Sequence, residues 1–74
     1  MKEYIINQIK DYEGWLESED MELIEEAMVD IVAESYLAYG ECDELDKIFK
    51  DIGWIDDDGD LVFENYAGYR RILK

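Results

Sequence analysis

The stretch 11–46 limits what this chain can fold into more than any other feature of the sequence. It contains 14 Asp and Glu residues and no Lys or Arg. The other seven acidic residues equal the seven basic residues in number, so the whole formal net charge of −14 arises from this stretch. Because like charges repel and destabilise a compact state, these carboxylates must stay in water. Any helix in this stretch is therefore expected to bury an apolar side and expose an acidic one.

The composition is that of a folded chain. Hydrophobic residues make up 49% of the sequence and aromatic residues 14%, which is typical of a chain with a core. The length of 74 residues predicts a single domain, 1–74. The single cysteine, Cys42, cannot pair within the chain, and the absence of histidine excludes a Cys/His metal cluster. Stability must therefore come from packing, to which oligomerisation could add.

The N-terminal residues 1–8 contain no long apolar run, so no signal peptide is predicted. No apolar stretch approaches the roughly 20 residues that span a bilayer. We therefore expect a soluble, cytoplasmic protein without membrane contacts. If the chain is encoded by a phage, its location would be the cytoplasm of the host cell.

The spacing of the apolar residues predicts three main helices, over Lys2–Leu16, Glu19–Tyr39 and Asp43–Ile52. In each of them apolar residues recur every three or four positions, which places them on one face. The second helix is the longest, and its apolar face opposes an acidic one. Six residues are predicted to lie in the core: Ile24, Met28, Ile31, Leu45, Ile48 and Phe49.

Short polar residues and glycines indicate where these helices begin and end. Gly14 is expected to weaken the end of the first helix, because glycine is a poor helix former. Ser18 is expected to cap the second helix. Gly40 and Gly53 follow the second and third helices, at the position where glycine commonly ends a helix.

The pattern changes after the third helix. Two short apolar runs, 54–55 and 61–63, flank the acidic turn 56–60, whose Asp-Gly pair is typical of a β-hairpin. A short helix is predicted from Asn65, its candidate cap, to Lys74. The predicted fold is thus mainly α, a compact three- to four-helix domain with a small β-hairpin near residues 54–63.

The acidic turn matches a calcium-binding loop only in part. With Gly59 at the sixth position of an EF-hand loop, Asp56 and Asp58 take the third and fifth positions. The first and twelfth positions then fall on Trp54 and Asn65. Because both of those positions supply essential ligands in an EF-hand, we predict no metal site and no cofactor.

Few features of the sequence favour catalysis. Histidine is absent, and Cys42 lies among Glu41, Asp43 and Glu44, whose charges disfavour the thiolate that a nucleophile requires. A Gly-rich phosphate loop is absent too, and an acidic surface repels nucleic acid and anionic membranes. We therefore expect a binding protein that is not an enzyme and does not contact nucleic acid directly.

The acidic face of the second helix is the strongest functional signal. Solvated helix faces commonly place Glu and Lys four residues apart, because such pairs stabilise a helix. Here Glu22–Glu26, Glu26–Asp30 and Asp30–Glu34 are like-charge pairs, each of which costs about 0.2–0.5 kcal/mol. A small domain that tolerates this cost is expected to use the resulting field. The predicted partner-binding residues are Glu19, Glu22, Glu26, Asp30, Glu34, Glu41, Asp43 and Glu44.

These features resemble the small acidic DNA mimics of phages and mobile elements, which include antirestriction proteins and some anti-CRISPR proteins. The resemblance is carried by the stretch 11–46, by the short length and by the aromatic-rich remainder. The tail 64–73 is similar to the acidic, Tyr-containing ends of ArdA-type antirestriction proteins. The resemblance assigns no role to single residues. It implies a basic protein partner, such as a restriction enzyme, a CRISPR effector or another DNA- or RNA-binding enzyme, bound in competition with DNA.

Two other binding roles stay open. An immunity protein or antitoxin that neutralises a basic nuclease or toxin would use a smaller acidic patch around aromatic anchors. Trp15, Tyr36 and Tyr39 are candidates for such anchors. A homodimer with a structural or regulatory role is the third reading. A DNA mimic should tolerate the loss of single acids, whereas an immunity protein should depend on a few residues.

Overall fold

Helix α3, the longest element, is the one against which most others pack. The computed structural model describes residues 1–73, and their fold is mainly helical, as the sequence predicts. The helices are α1 (Lys2–Asp11), α2 (Glu13–Leu16), α3 (Met21–Tyr39) and α4 (Asp43–Asp51), followed by a C-terminal 3-10 segment (Phe63–Arg71).

The core lies between the inner face of α3 and the surrounding elements. Its residues on α3 are spaced three or four apart, so they form one continuous face. Five of the six predicted core residues are fully buried, and Ile48 is half-buried against the same cluster. The hydroxyl of the buried Ser35 donates a hydrogen bond to the Ile31 carbonyl at 2.7 Å. The core prediction is thus confirmed with one residue at its margin.

The residue that caps α3 is Asp20, so the prediction of Ser18 was wrong. The Asp20 Oδ1 atom accepts the backbone N–H of Glu22 at 3.0 Å. The Ser18 hydroxyl instead accepts the backbone N–H of Asp20 at 3.0 Å. Ser18 therefore holds the capping residue and not the helix itself, and α3 begins two residues later than expected. Its end is as predicted, since Gly40 follows with φ 72°.

The predicted helix Lys2–Leu16 is two helices. The chain leaves helical geometry at Tyr12, where φ is −104° and ψ is 10°, and resumes it at Glu13. The break therefore precedes Gly14, which lies inside α2. At the break the Tyr12 ring makes an edge contact with the Trp15 ring, with 5.4 Å between their centroids. This distance lies within the roughly 4.5–7 Å usual for aromatic pairs.

The predicted β-hairpin is not present. Within the described residues, Ile55 and Leu61 form only an isolated antiparallel bridge. The chain reverses through hydrogen bonds from Val62 N–H to the Trp54 carbonyl at 2.8 Å and from Asp56 N–H to the Asp60 carbonyl at 3.0 Å. A ladder cannot extend further, because α4 precedes this reversal and the 3-10 segment begins immediately after it.

The C-terminal helix predicted over Asn65–Lys74 is a 3-10 segment that begins at Phe63, and Lys74 lies outside the described residues. Asn65 is not its cap but a non-helical residue inside it. One reason for the irregularity is that the Tyr66 carbonyl accepts the Trp54 indole N–H at 3.1 Å. Because that bond joins this segment to the core, tertiary contacts replace regular α-helical ones.

None of the helices within residues 1–73 is both long enough and apolar enough to cross a lipid bilayer.

Candidate partner-binding surface

The acidic row of α3 comprises Glu22, Glu26, Asp30 and Glu34, each four residues from the next. Glu22, Glu26 and Glu34 are exposed. Asp30 is half-buried, and its Oδ2 atom accepts a hydrogen bond from the Tyr12 hydroxyl at 3.5 Å. Three of the four carboxylates therefore face water freely, and the fourth also holds α3 to the junction of α1 and α2.

The Tyr12 hydroxyl marks where acidic segments come together. Burial raises its pKa, and the carboxylates of Asp30 and Glu34 raise it further because they oppose a second negative charge. The α1 residue Asp11 acts in the same direction. Acids of α1 and of α3 thus lie close enough around this hydroxyl for their fields to add.

The remaining predicted binding residues lie on either side of α3 in sequence. Glu19 is exposed in the turn before α3, and Glu41 is exposed in the loop after it. Asp43 and Glu44 are exposed in the first turn of α4, where the unpaired N–H groups of a helix favour negative charge. All eight predicted residues except the half-buried Asp30 are thus exposed to solvent.

A second tyrosine ties α3 to α4. The Tyr36 hydroxyl donates a hydrogen bond to the Asp46 carboxylate. Burial raises the pKa of Tyr36, and the hydrogen bond to Asp46 and its charge raise it further. Tyr12 and Tyr36 therefore join α3 to an acidic segment on each of its flanks, one before it and one after it in the chain.

The acids of the stretch 11–46 are not neutralised within the fold. Among residues 1–73 the only ion pair joins Lys47 to Asp51, with 3.1 Å between the ammonium nitrogen and a carboxylate oxygen. Both residues of this pair lie outside the stretch 11–46, and both are exposed. Within the described residues, no acid of the stretch 11–46 is therefore paired with a base.

Several bases gather on one side of α4. Lys2, Lys47 and Arg71, the basic cluster, line a cavity of about 380 Å³ together with apolar residues of α4 and the chain end. The Arg71 guanidinium also donates a hydrogen bond to the Asp51 carbonyl at 3.2 Å. Three of the seven bases therefore lie together, and Asp51 is the one acid that lines the same cavity.

The outer face of α3 also carries an apolar row that the sequence interpretation missed. Val29, Ala33 and Leu37 are spaced four residues apart and are all exposed. The Leu37 side chain is 85% exposed and that of Val29 41% exposed. On a helix this row lies directly beside the acidic row. The spacing of four residues is present in the sequence, but apolar residues at helical spacing predict a buried face and not an exposed one.

A groove lies where α3, α4 and the acidic turn meet. Its cavity measures about 480 Å³. Apolar side chains line part of its surface: Val32, Tyr36, Ile55 and Leu61. The other lining side chains are mostly acidic: Glu41, Asp46, Asp57 and Asp58, with Lys50 as the one base. The groove could not be predicted from the sequence, because three separate elements form it.

The acidic turn is closed by the side-chain carboxylate of Asp56. The Asp56 Oδ1 atom accepts the backbone N–H groups of Asp58 and Asp60, both at 2.9 Å. Gly59 adopts φ 85°, a conformation that glycine tolerates best. Within residues 1–73, no group of three or more His, Cys, Asp and Glu side chains is arranged to hold a metal ion.

Comparison with protein-family models, with curated proteins and with solved structures gave no match to this chain.

Proposed function

We propose that this chain is an acidic binding protein that occupies the DNA-binding surface of a basic protein in the cytoplasm. In this role it is a DNA-mimicking inhibitor of a host-defence enzyme such as a restriction or CRISPR effector, and it is not itself an enzyme. The observation that carries the proposal is the unneutralised charge of the stretch 11–46, none of whose acids forms an ion pair within the described residues.

The spacing of the acidic row supports this role. Steps of four residues separate its charges by about 6 Å along the helix axis. Duplex DNA presents about one charge per 1.7 Å of axis over both strands, so one row is too sparse to imitate it. The segments joined to α3 through Tyr12 and Tyr36 supply further acids on its two flanks. Together the three segments form a broader anionic surface than one helix provides.

The test is competition with DNA. The protein is used to capture a partner from a bacterial lysate, and short duplex DNA is titrated against the purified complex. We expect mutual exclusion and an affinity that falls steeply with salt, because the contacts are charge pairs in water. If the partner binds the protein and DNA at the same time without loss of affinity for either, the mimic proposal is wrong.

Charge-reversal variants locate the surface. Replacement of Glu22, Glu26 and Glu34 by Lys should abolish partner binding, whereas Glu26→Lys alone should weaken it only in part. Asp30 is left unchanged because it holds Tyr12. A matched control reverses three exposed acids outside the stretch 11–46: Glu3, Asp60 and Glu64. Equal loss of binding in both triple variants would indicate that only net charge matters and not this surface.

The apolar row favours a second candidate, an immunity protein or antitoxin against a basic nuclease or toxin. An exposed leucine in an acidic field is suited to a pocket of a partner, and inhibitors of this kind depend on a few such anchors. Leu37 is the strongest candidate, since Trp15 and Tyr39 are less exposed and each already contacts another aromatic ring. If Leu37→Ala reduces affinity for the captured partner about 30-fold or more, this second role is favoured, because truncation of a hot-spot residue costs about 2 kcal/mol or more.

A further inference from the structure

The groove between α3, α4 and the acidic turn combines two properties that point to one kind of occupant. Its apolar side chains Val32 and Leu61 are only half-buried, so a ligand that covers them gains free energy by removing them from water. The cavity of about 480 Å³ is large enough for a long side chain together with part of the backbone that carries it. The apolar surface alone does not identify the ligand.

The charges around the groove supply the second property. Glu41, Asp46, Asp57 and Asp58 come from three different parts of the chain, and Lys50 is the only base among the lining residues. The groove is therefore an apolar surface with an excess of three negative charges at its edge. Arginine and lysine side chains match this pattern, because their aliphatic stems cover apolar surface while their charged ends reach carboxylates.

We propose that this groove binds an arginine or lysine side chain from an amphipathic segment of the protein partner. A second copy of this chain is the poorer occupant, because each molecule carries a net charge of −14. The proposal rests on the proposed function in taking a basic protein as the partner, but it does not require that the partner's surface be a DNA-binding one. Such a side chain in the groove would make a directional contact beside the exposed acidic row.

The probe is a short synthetic amphipathic peptide of Arg and Leu, and a Gln/Leu peptide of the same length serves as its neutral counterpart. Titration of the isotope-labelled protein by nuclear magnetic resonance should shift the signals of Val32, Tyr36 and Leu61 with the Arg/Leu peptide. The Gln/Leu peptide should leave these signals unchanged. Shifts confined to the acidic row, or groove shifts that depend on protein concentration without peptide, would overturn the proposal.

Paired variants test the charges of the groove. Glu41→Gln combined with Asp57→Asn removes two carboxylates that line it, and Glu44→Gln combined with Asp60→Asn removes two that do not. The first pair should lower affinity for the Arg/Leu peptide about tenfold or more (about 1.4 kcal/mol), because it removes charged hydrogen-bond acceptors for the arginine side chain. The second pair should change it much less. Equal effects of the two pairs would show that the peptide responds to net charge and not to the groove.

A second comparison tests the apolar surface. Val32→Thr keeps the shape of a groove residue but adds a hydroxyl, and Val29→Thr makes the same change on the apolar row outside the groove. Affinity for the Arg/Leu peptide should fall severalfold only in Val32→Thr, with both variants folded by circular dichroism. If neither variant loses affinity, or if both lose it to the same extent, the groove is not the binding site.

The two proposals can fail separately. If the Glu41/Asp57 variant no longer binds the peptide, but the captured partner binds this protein and DNA at the same time, the groove proposal stands and DNA mimicry is wrong. If DNA displaces this protein from the partner, but the peptide binds the Glu41/Asp57 variant as tightly as the parent chain, mimicry stands and the groove proposal is wrong.

Discussion

At the scale of single residues, Gly68 shows how closely this small fold is packed. A Cβ atom at this position would lie 1.7 Å from the backbone carbonyl oxygen of Ile52, which is far inside van der Waals contact. The 3-10 segment can therefore approach the end of α4 only with glycine at residue 68. The sequence showed a glycine here, but it held no sign of the contact, because Ile52 is distant in the chain.

Gly68→Ala should consequently destabilise the protein. Because the added Cβ meets backbone that cannot rotate away, the free energy of unfolding should fall by about 1–3 kcal/mol, as in other overpacked sites. Gly14→Ala is the control, since its Cβ would have no atom within 4 Å and residue 14 lies inside α2. Alanine in a helix should raise stability there by about 0.5–1 kcal/mol. Urea denaturation measures both, and equal stability of the two variants would contradict the contact.

The hydroxyls of the half-buried Tyr12 and Tyr36 should make stability fall at high pH. Burial and nearby carboxylates raise the pKa of Tyr36 and of Tyr12 in the folded state. Below the ordinary tyrosine pKa of about 10, both residues are protonated in both states, so their contribution is fully present. Above it the unfolded chain releases its protons first, and stability falls as the pH rises towards the folded-state values.

Melting temperature measured against pH checks this expectation. A variant with Tyr12→Phe and Tyr36→Phe should lose stability less steeply above pH 10 than the parent chain, because neither residue can ionise when unfolded. Parallel curves for the two proteins would show that these hydroxyls are not linked to folding.

At the scale of elements, α3 and α4 were predicted to within one or two residues at each end, because their patterns are local. In α3, nineteen residues repeat the helical period, and Gly40 ends the helix as expected. The elements that differed depend on contacts between distant parts of the chain. The 3-10 segment is shaped by the bond between Trp54 and Tyr66, and the reversal at residues 54–62 is limited by the helices around it.

In the candidate site, too, local spacing predicts some features, whereas others depend on contacts between distant parts of the chain. Exposure of the acidic row follows from helical spacing, because its residues oppose the buried face of α3. The partial burial of Asp30 does not, since it depends on where Tyr12 leaves the helical path between α1 and α2. The groove needs three elements in place at once, and periodicity within one element carries no information about that arrangement.

The like-charge pairs of α3 lead to a prediction about this helix alone. Glu26→Lys replaces two repulsive pairs, with Glu22 and Asp30, by two attractive ones, and each pair contributes about 0.2–0.5 kcal/mol. The variant should therefore be more stable than the parent chain by about 1 kcal/mol. Urea denaturation measures the difference, with Glu26→Gln expected midway. If Glu26→Lys is less stable than the parent chain, repulsion within the acidic row does not destabilise the fold.

At the scale of the whole molecule, the net negative charge is concentrated in one part of the chain, the stretch 11–46. The stretch 11–46 has no internal ion pair, and the basic cluster Lys2, Lys47 and Arg71 lies together near α4. Helix α4 presents Asp46 and Lys50 to the groove but Lys47 and Asp51 to the basic cluster. Unbalanced repulsion within the acidic stretch is therefore part of the folded state.

Stability should accordingly rise with salt. From about 0.01 M to about 1 M sodium chloride the Debye length falls from about 30 Å to about 3 Å, which screens repulsion between exposed carboxylates. The melting temperature should increase over this range, and calcium chloride at matched ionic strength should give the same increase. A flat profile would contradict the idea of uncompensated repulsion. An additional rise specific to calcium would indicate a bound ion.

The placement of the basic cluster also affects how the molecule approaches a partner. Three of the seven bases line one cavity, whereas the stretch 11–46 contains 14 acids and no base, so charge is unevenly distributed over the molecule. A positively charged protein nearby then exerts a torque as well as an attraction. During diffusion the molecule is turned so that its anionic side leads and the basic cluster trails, which reduces the number of misoriented collisions before a productive one.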